Sequence, residues 1–279
     1  GKDRILLINN NNPFALIPMG ILNLIVRRKI LVIAHGEMEF IRNDELNEKV
    51  PLFYRFMRLL LKSGLRLVRG SSFFFFIVLG DKIKENLIEY GLLDKKQILA
   101  LDHPYFFRED LPGMAKKDSG IHLGTIGAFT RPKGSETFLK LAGRFEHENR
   151  IKFHVAGSVF DRDLDITKHP NIIFHSGSRR FIGRREFEKI ISELDYVLLL
   201  YPPEMYKLMA SGAVFDAVDM NKPVLCLEND YFNYMFEKHG KFGIKCRDID
   251  EMTDIISLII NDGIPYDFND SLGRIRNYH

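Results

Sequence analysis

Short apolar runs recur along this chain of 279 residues, and each is followed by a longer stretch of helical period. That alternation constrains the fold more than any other feature. Apolar runs without polar alternation suit strands buried on both faces, and parallel strands need crossover helices to join them. In the first part of the chain strands are expected at residues 5–8, 29–34, 73–79 and 97–100, and helices at 16–26, 52–67 and 82–90, the last closed by Gly91. In the second part strands are expected at 122–126, 151–156, 172–175, 196–200, 223–227 and 243–245. Helices are expected there at 135–145, 185–194, 212–220, 231–239 and 250–260. Between the two parts, residues 111–120 turn to Pro, Gly, Lys, Asp and Ser without apolar period, which is a linker composition. The pattern predicts an α/β protein of two Rossmann-like, doubly wound parallel-sheet lobes, residues 1–110 and 121–279, with a cleft between them.

Composition narrows the partners. With 40 basic and 37 acidic residues the charges nearly balance, which argues against a nucleic-acid partner. Cys226 and Cys246 lack the spacing of a disulfide framework or a zinc site, so a reducing, cytoplasmic location is expected. No apolar run reaches the roughly 18–20 residues that span a bilayer. Nothing at the start reads as a signal peptide, and Gly1 to Arg4 run straight into an apolar strand. Missing upstream sequence, or a tag glycine, is the expectation.

Three constellations carry chemistry. Gly127 to Gly134 follow an expected strand directly and precede a helix. Backbone N–H groups there can face an anion, with Arg131 and Lys133 as cations and a diphosphate as the natural guest; an ordinary tight turn with solvated charges accounts for the same residues. Ser211 and Gly212 suit a helix start, and Asp216, about one turn on, can accept from vicinal ribose hydroxyls. The plainer reading makes Ser211 an N-cap and Asp216 a first-turn acid favoured by the helix dipole. His35, Gly36 and Glu37 stand at the carboxyl end of a strand, where ligands sit in open α/β sheets, although a lone histidine is more often structural. A fourth feature is the segment 52–69, in which Arg55, Arg58, Lys62, Arg66 and Arg69 lie beside a broad apolar surface. It suits either a packed helix with a basic edge or a peripheral contact with an anionic membrane.

Taken in order, these features resemble the GT-B glycosyltransferases of the retaining "glycosyl transferases group 1" kind, from about Ile5 to Ile260. Residues 31–37 resemble that family's strand ending in His-Gly, and Ile77 to Gly80 its last N-lobe unit. Gly127 with Lys133-Gly134 is similar to its Gly-Arg-Leu…Lys-Gly signature, and Phe215-Asp216-Ala217 with Asn221 to Val224 to its Leu-Glu-Ala…Gly-x-Pro-Val signature. The resemblance implies that Lys133 neutralises a donor diphosphate, that Asp216 takes the ribose in place of a glutamate, and that His35 and Glu37 serve the transferred sugar. Two departures stand out. Ala128 occupies the family arginine's position, with Arg131 as its replacement, and Leu208 stands where the family has a second acid. The implied activity moves a sugar from a nucleotide diphosphate donor to a glycan or lipid-linked acceptor in surface polysaccharide synthesis, at the inner face of the membrane. No cofactor or metal is implied, and the Asp161-Arg162-Asp163 run is read as a polar loop. Alternatives are a nucleotide-sugar epimerase or hydrolase of the same fold, and a non-catalytic nucleotide-sugar-binding scaffold.

Overall fold

The computed structural model describes residues 4–9, 12–42, 52–108, 119–161, 164, 169–176, 181–263 and 266–278. The chain forms two compact units, Gly1–Pro104 with Tyr206–Ala210, and Tyr105–Met205 with Ser211–His279. Most of the expected linker, residues 111–118 of 111–120, lies outside the described residues.

The first unit contains β1 (Leu6–Ile8), α1 (Pro13–Val26), β2 (Ile30–Ile33), α2 (Leu52–Val68), β3 (Phe74–Val78), α3 (Asp81–Glu89) and β4 (Ile98–Ala100). Its sheet is parallel and keeps chain order, β1-β2-β3-β4. Three right-handed crossovers in one direction put the three helices on one face. Helix α1 starts three residues earlier than its apolar period indicates. Pro13 stands at a first-turn position, where its missing N–H costs nothing, and the Asn12 side chain accepts from the Phe14 amide at 3.0 Å. Helices α1 and α2 pack closely because Gly20 and Gly64 face them: a Cβ at Gly64 would lie 3.0 Å from Leu16, and one at Gly20 would lie 3.0 Å from Leu67. Leu16, Val32, Leu61, Leu65, Phe74 and Phe76 are buried between helices and sheet.

The second unit contains β5 (Ile121–Ile126), α4 (Ser135–Arg144), β6 (Ile151–Ala156), β7 (Ile172–Phe174), α5 (Arg184–Glu193) and β8 (Tyr196–Leu199). It continues with α6 (Gly212–Asp219), β9 (Val224–Leu227), α7 (Asp230–His239), β10 (Gly243–Cys246), α8 (Ile249–Asp262) and α9 (Asn269–Tyr278). All its strand pairs are parallel, in the order β10-β9-β8-β5-β6-β7. This is the Rossmann order, and its direction reverses between β5 and β8. Strands β8 and β9 are buried throughout, as their unbroken apolar runs require. Helix α9 escaped sequence reading because only Leu272 and Ile275 of its apolar residues are buried, too few to set a period.

One consequence of this strand order is invisible in the linear sequence. His122 on β5, His154 on β6 and His175 just beyond β7 form a row of stacked imidazoles. His154 Nε2 lies 3.0 Å from His122 Nδ1, and His154 Nδ1 lies 2.9 Å from His175 Nε2.

Candidate functional site

In the second unit the chain leaves β5 at Gly127, whose φ of +84° is a left-handed conformation that favours glycine. The neighbouring loop after β6 touches it so closely that a Cβ at Gly157 would sit 1.5 Å from the Gly127 carbonyl oxygen. Gly134, also left-handed, lets α4 begin against the end of β8, where a Cβ would meet the Leu200 carbonyl oxygen at 2.0 Å. Three glycines therefore gather backbone at the point where the strand order reverses, the place where open α/β sheets bind ligands.

Lys133 ends a short 3-10 turn, Arg131–Lys133, in this loop. Its Nζ lies 3.9 Å from the point where a Gly127 Cβ would be. Burial lowers the Lys133 pKa from its ordinary 10.5, while the charge of Asp216 acts to raise it. Gly127, Lys133 and Asp216 are thus brought to one place from separate parts of the sequence. Arg131 is oriented differently: its backbone N–H donates to Asp161 Oδ2 at 2.6 Å, and its Nε donates to Glu136 Oε1 at 2.6 Å. Asp161 therefore serves the loop's own geometry, and Asp163 lies outside the described residues.

Helix α6 begins after Ser211, whose side chain makes no cap bond to the first turn. The buried Ser211 hydroxyl instead lies 3.0 Å from the Tyr201 hydroxyl. Gly212 is exposed, and a Cβ there would meet no protein atom within 4 Å. Asp216, one turn in, accepts at Oδ1 from the Tyr105 hydroxyl at 2.8 Å and from Arg184 Nη1 at 2.9 Å. The Tyr105 ring stacks on Phe215, with centroids 5.7 Å apart. Arg184 also pairs with Glu188, Glu188 with Arg108 at 3.0 Å, and Arg108 with the buried Asp219 at 2.8 Å. Burial works against the Arg184 charge, but its bonds to Tyr105, Asp216 and Glu188 outweigh that and raise its pKa. Sequence reading missed Tyr105, Arg184, Arg108 and Asp219. Asp216 and Asp219 share a face of α6 at i,i+3 spacing, but nothing local names their partners.

In the first unit His35 follows β2 and opens a 3-10 segment, Gly36–Arg42. The Glu37 carboxylate folds back to accept from the His35 backbone N–H, at 3.1 and 3.0 Å. The half-buried His35 ring has Nε2 3.5 Å from Asn9 Oδ1. Four residues after His35, Glu39 is buried. It accepts from Arg42 Nη1 at 2.9 Å and from the Leu208 amide at 2.8 Å, and Arg42 Nε donates to the Tyr90 hydroxyl at 3.0 Å. Leu208 belongs to this unit's core, 1% exposed. Asn86 fixes the same segment by donating to the Lys207 carbonyl at 2.9 Å. The position where the resemblance leads one to look for a sugar-binding acid is thus a packed leucine.

Two parallel sheets with interleaved helices, the second in Rossmann order, give the chain the GT-B fold of glycosyltransferases. No family model matches the chain, and no curated protein does. Among solved structures it is similar to Anabaena Alr3699/HepE in complex with UDP and glucose, with a TM-score of 0.68 and 14% identity over 98% of this chain and 72% of that one. It is also similar to WaaG, a glycosyltransferase involved in lipopolysaccharide biosynthesis, with a TM-score of 0.63 and 13% identity over 95% of this chain and 76% of that one. TarM is similar at a TM-score of 0.59 and 14% identity over 93% of this chain, which spans 54% of TarM. At such identities the likeness is one of fold.

Proposed function

We propose that the chain is a glycosyltransferase that takes its sugar from a nucleotide diphosphate donor held by the second unit. The observation that carries this reading is the meeting of Gly127, Lys133 and Asp216 at the strand-order reversal of a GT-B fold. Lys133 and the first turn of α6 face the diphosphate, where negative charge grows as the glycosidic bond breaks, and Asp216 takes the ribose. This assigns the leaving group's charge to a lysine and a helix end, with no metal called for. His35 acts on the sugar from the first unit, and Glu37 holds the His35 backbone. UDP in the HepE complex makes uracil the first nucleobase to test. Calorimetry with UDP, GDP and ADP, followed by transfer assays with the corresponding sugars, tests the proposal. Binding of none of them would overturn the proposal, and binding unaltered in Lys133→Ala would place the donor elsewhere.

A lipid-linked acceptor is supported by the first unit's surface. Phe53, Phe56 and Leu59 on α2 and Leu22, Leu24 and Ile25 on α1 are exposed apolar residues, with Arg27, Arg28, Arg55 and Arg66 exposed among them. Such a mixture suits an anionic lipid interface. No helix among the described residues is long and apolar enough to cross a membrane. Co-sedimentation with phosphatidylglycerol vesicles, and its loss in Arg55→Glu/Arg66→Glu, checks the contact. A non-catalytic binding scaffold is the second reading, favoured by the burial of Leu208 in the first unit's core. Nucleotide-sugar binding without turnover toward any acceptor or water would select it.

A further inference from the structure

The carboxylate assigned to the ribose already holds a hydroxyl. Tyr105 donates to Asp216 Oδ1 at 2.8 Å, with the donor chemistry and bond length of a ribose hydroxyl, and Arg184 donates to the same oxygen at 2.9 Å. The phenol is set in place by its ring, which stacks on Phe215 and lies 4.9 Å from Phe107 between centroids. Arg184 is held in turn by Glu188. A vicinal diol that binds a carboxylate side-on uses both oxygens, one hydroxyl to each. The Tyr105 hydroxyl occupies one of those two oxygens.

We propose that Tyr105 is a specificity residue of the nucleotide site, an internal competitor whose hydroxyl must leave Asp216 Oδ1 before a ribose diol can engage both carboxylate oxygens. The inference rests on the reading of Asp216 as the ribose acceptor. Its chemical consequence is selective: Tyr105 opposes only ligands that present the diol, so removing its hydroxyl tightens binding of a ribonucleotide and does nothing for an analogue without the two hydroxyls. Burial, and after it the charge of Asp216, raise the Tyr105 pKa. The phenol therefore stays protonated, and the competitor is present at every physiological pH.

The test uses calorimetry on the full chain. UDP, GDP and ADP are titrated first, and the tightest is carried forward with its 2′,3′-dideoxy analogue against the parent, Tyr105→Phe, Asp216→Asn and the double variant. Phenylalanine keeps the stack on Phe215, and an unchanged circular dichroism melt confirms the fold. The expected result is that Tyr105→Phe binds the ribonucleotide about fivefold tighter or more (~1 kcal/mol), with the dideoxy analogue unchanged within about twofold and the gain lost in the double variant. If Asp216→Asn weakens the ribonucleotide about tenfold while Tyr105→Phe leaves it unchanged or weaker, the ribose reading stands and the competition is overturned. If Asp216→Asn changes nothing and both ligands bind alike, the ribose reading itself falls and takes the competition with it. Binding of none of the three nucleotides by the parent and by Tyr105→Phe overturns both.

Discussion

Lys133 is a lone amine in a partly dry loop, and its behaviour follows from that. Truncation in Lys133→Ala removes a charged donor from the diphosphate, and the expected loss is about 1.5–3 kcal/mol of nucleotide binding by calorimetry. The amine must be protonated to bind an anion, and burial lowers its pKa from 10.5. Nucleotide affinity should therefore fall as pH rises through that lowered value, sooner than for an ordinary lysine. Lys133→Arg, which stays charged, should flatten the alkaline limb; an unaltered limb would assign the titration to another group. His35 acts on the other reactant. His35→Ala is expected to slow transfer about 100-fold or more, while nucleotide affinity changes less than about threefold. A variant that transfers at the parent rate would leave His35 a structural residue of its loop.

At the scale of elements, the imidazole row across β5, β6 and β7 links sheet stability to pH. Each of its two N···N contacts holds at most one proton, so the four inner nitrogens carry two and the two outer nitrogens carry at most two more. The row as a whole therefore accepts one proton beyond its neutral three, and a second extra proton sets N–H against N–H. Burial lowers the His175 pKa, against the raising influence of Glu193 and then Glu186 on α5, and Asp195 accepts from the His122 backbone N–H at 2.8 Å. An unfolded chain takes up all three protons below about pH 6.5. The sign follows from His175: its folded pKa is lowered, so the unfolded state binds more protons, and stability is full above that pH and is lost as pH falls through it. Urea unfolding of the second unit at pH 7 and pH 5 measures this, and His154→Phe should remove most of the difference. An equal pH dependence in His154→Phe would trace it to carboxylates instead.

At the scale of the molecule, two units with separate cores should respond separately to damage. Glu39 and Arg42 form a buried pair in the first unit, with side chains 11% and 1% exposed. Glu39→Ala takes away the carboxylate that accepts from the buried Arg42 and from the Leu208 amide, so it is expected to destabilise that unit by about 3 kcal/mol, whereas Glu39→Leu/Arg42→Met should recover much of it. Hydrogen exchange reads the effect directly: protection should fall in β2, β3 and residues 206–210 and stay unchanged in β5 and β6. Uniform loss across both sheets would mean that the chain unfolds as one cooperative body.

Much of this was legible in the chain itself. Except for α9, strands and helices were placed within a few residues because apolar periodicity is a local property, and the start of α1 was misjudged because a cap and a proline outweighed the period. Gly127, Lys133 and Asp216 were legible as candidates for the same reason, since each belongs to a short strand–loop–helix pattern. What faces them was not. That Tyr105 and Arg184 meet on Asp216, that Arg131 turns to Glu136, that Leu208 is counted in the first unit's core and that three histidines align were decided by strand order and by packing between distant segments. A side chain's partner depends on which elements become neighbours, and the neighbour relation is set by the burial of whole faces, which no local stretch of sequence contains.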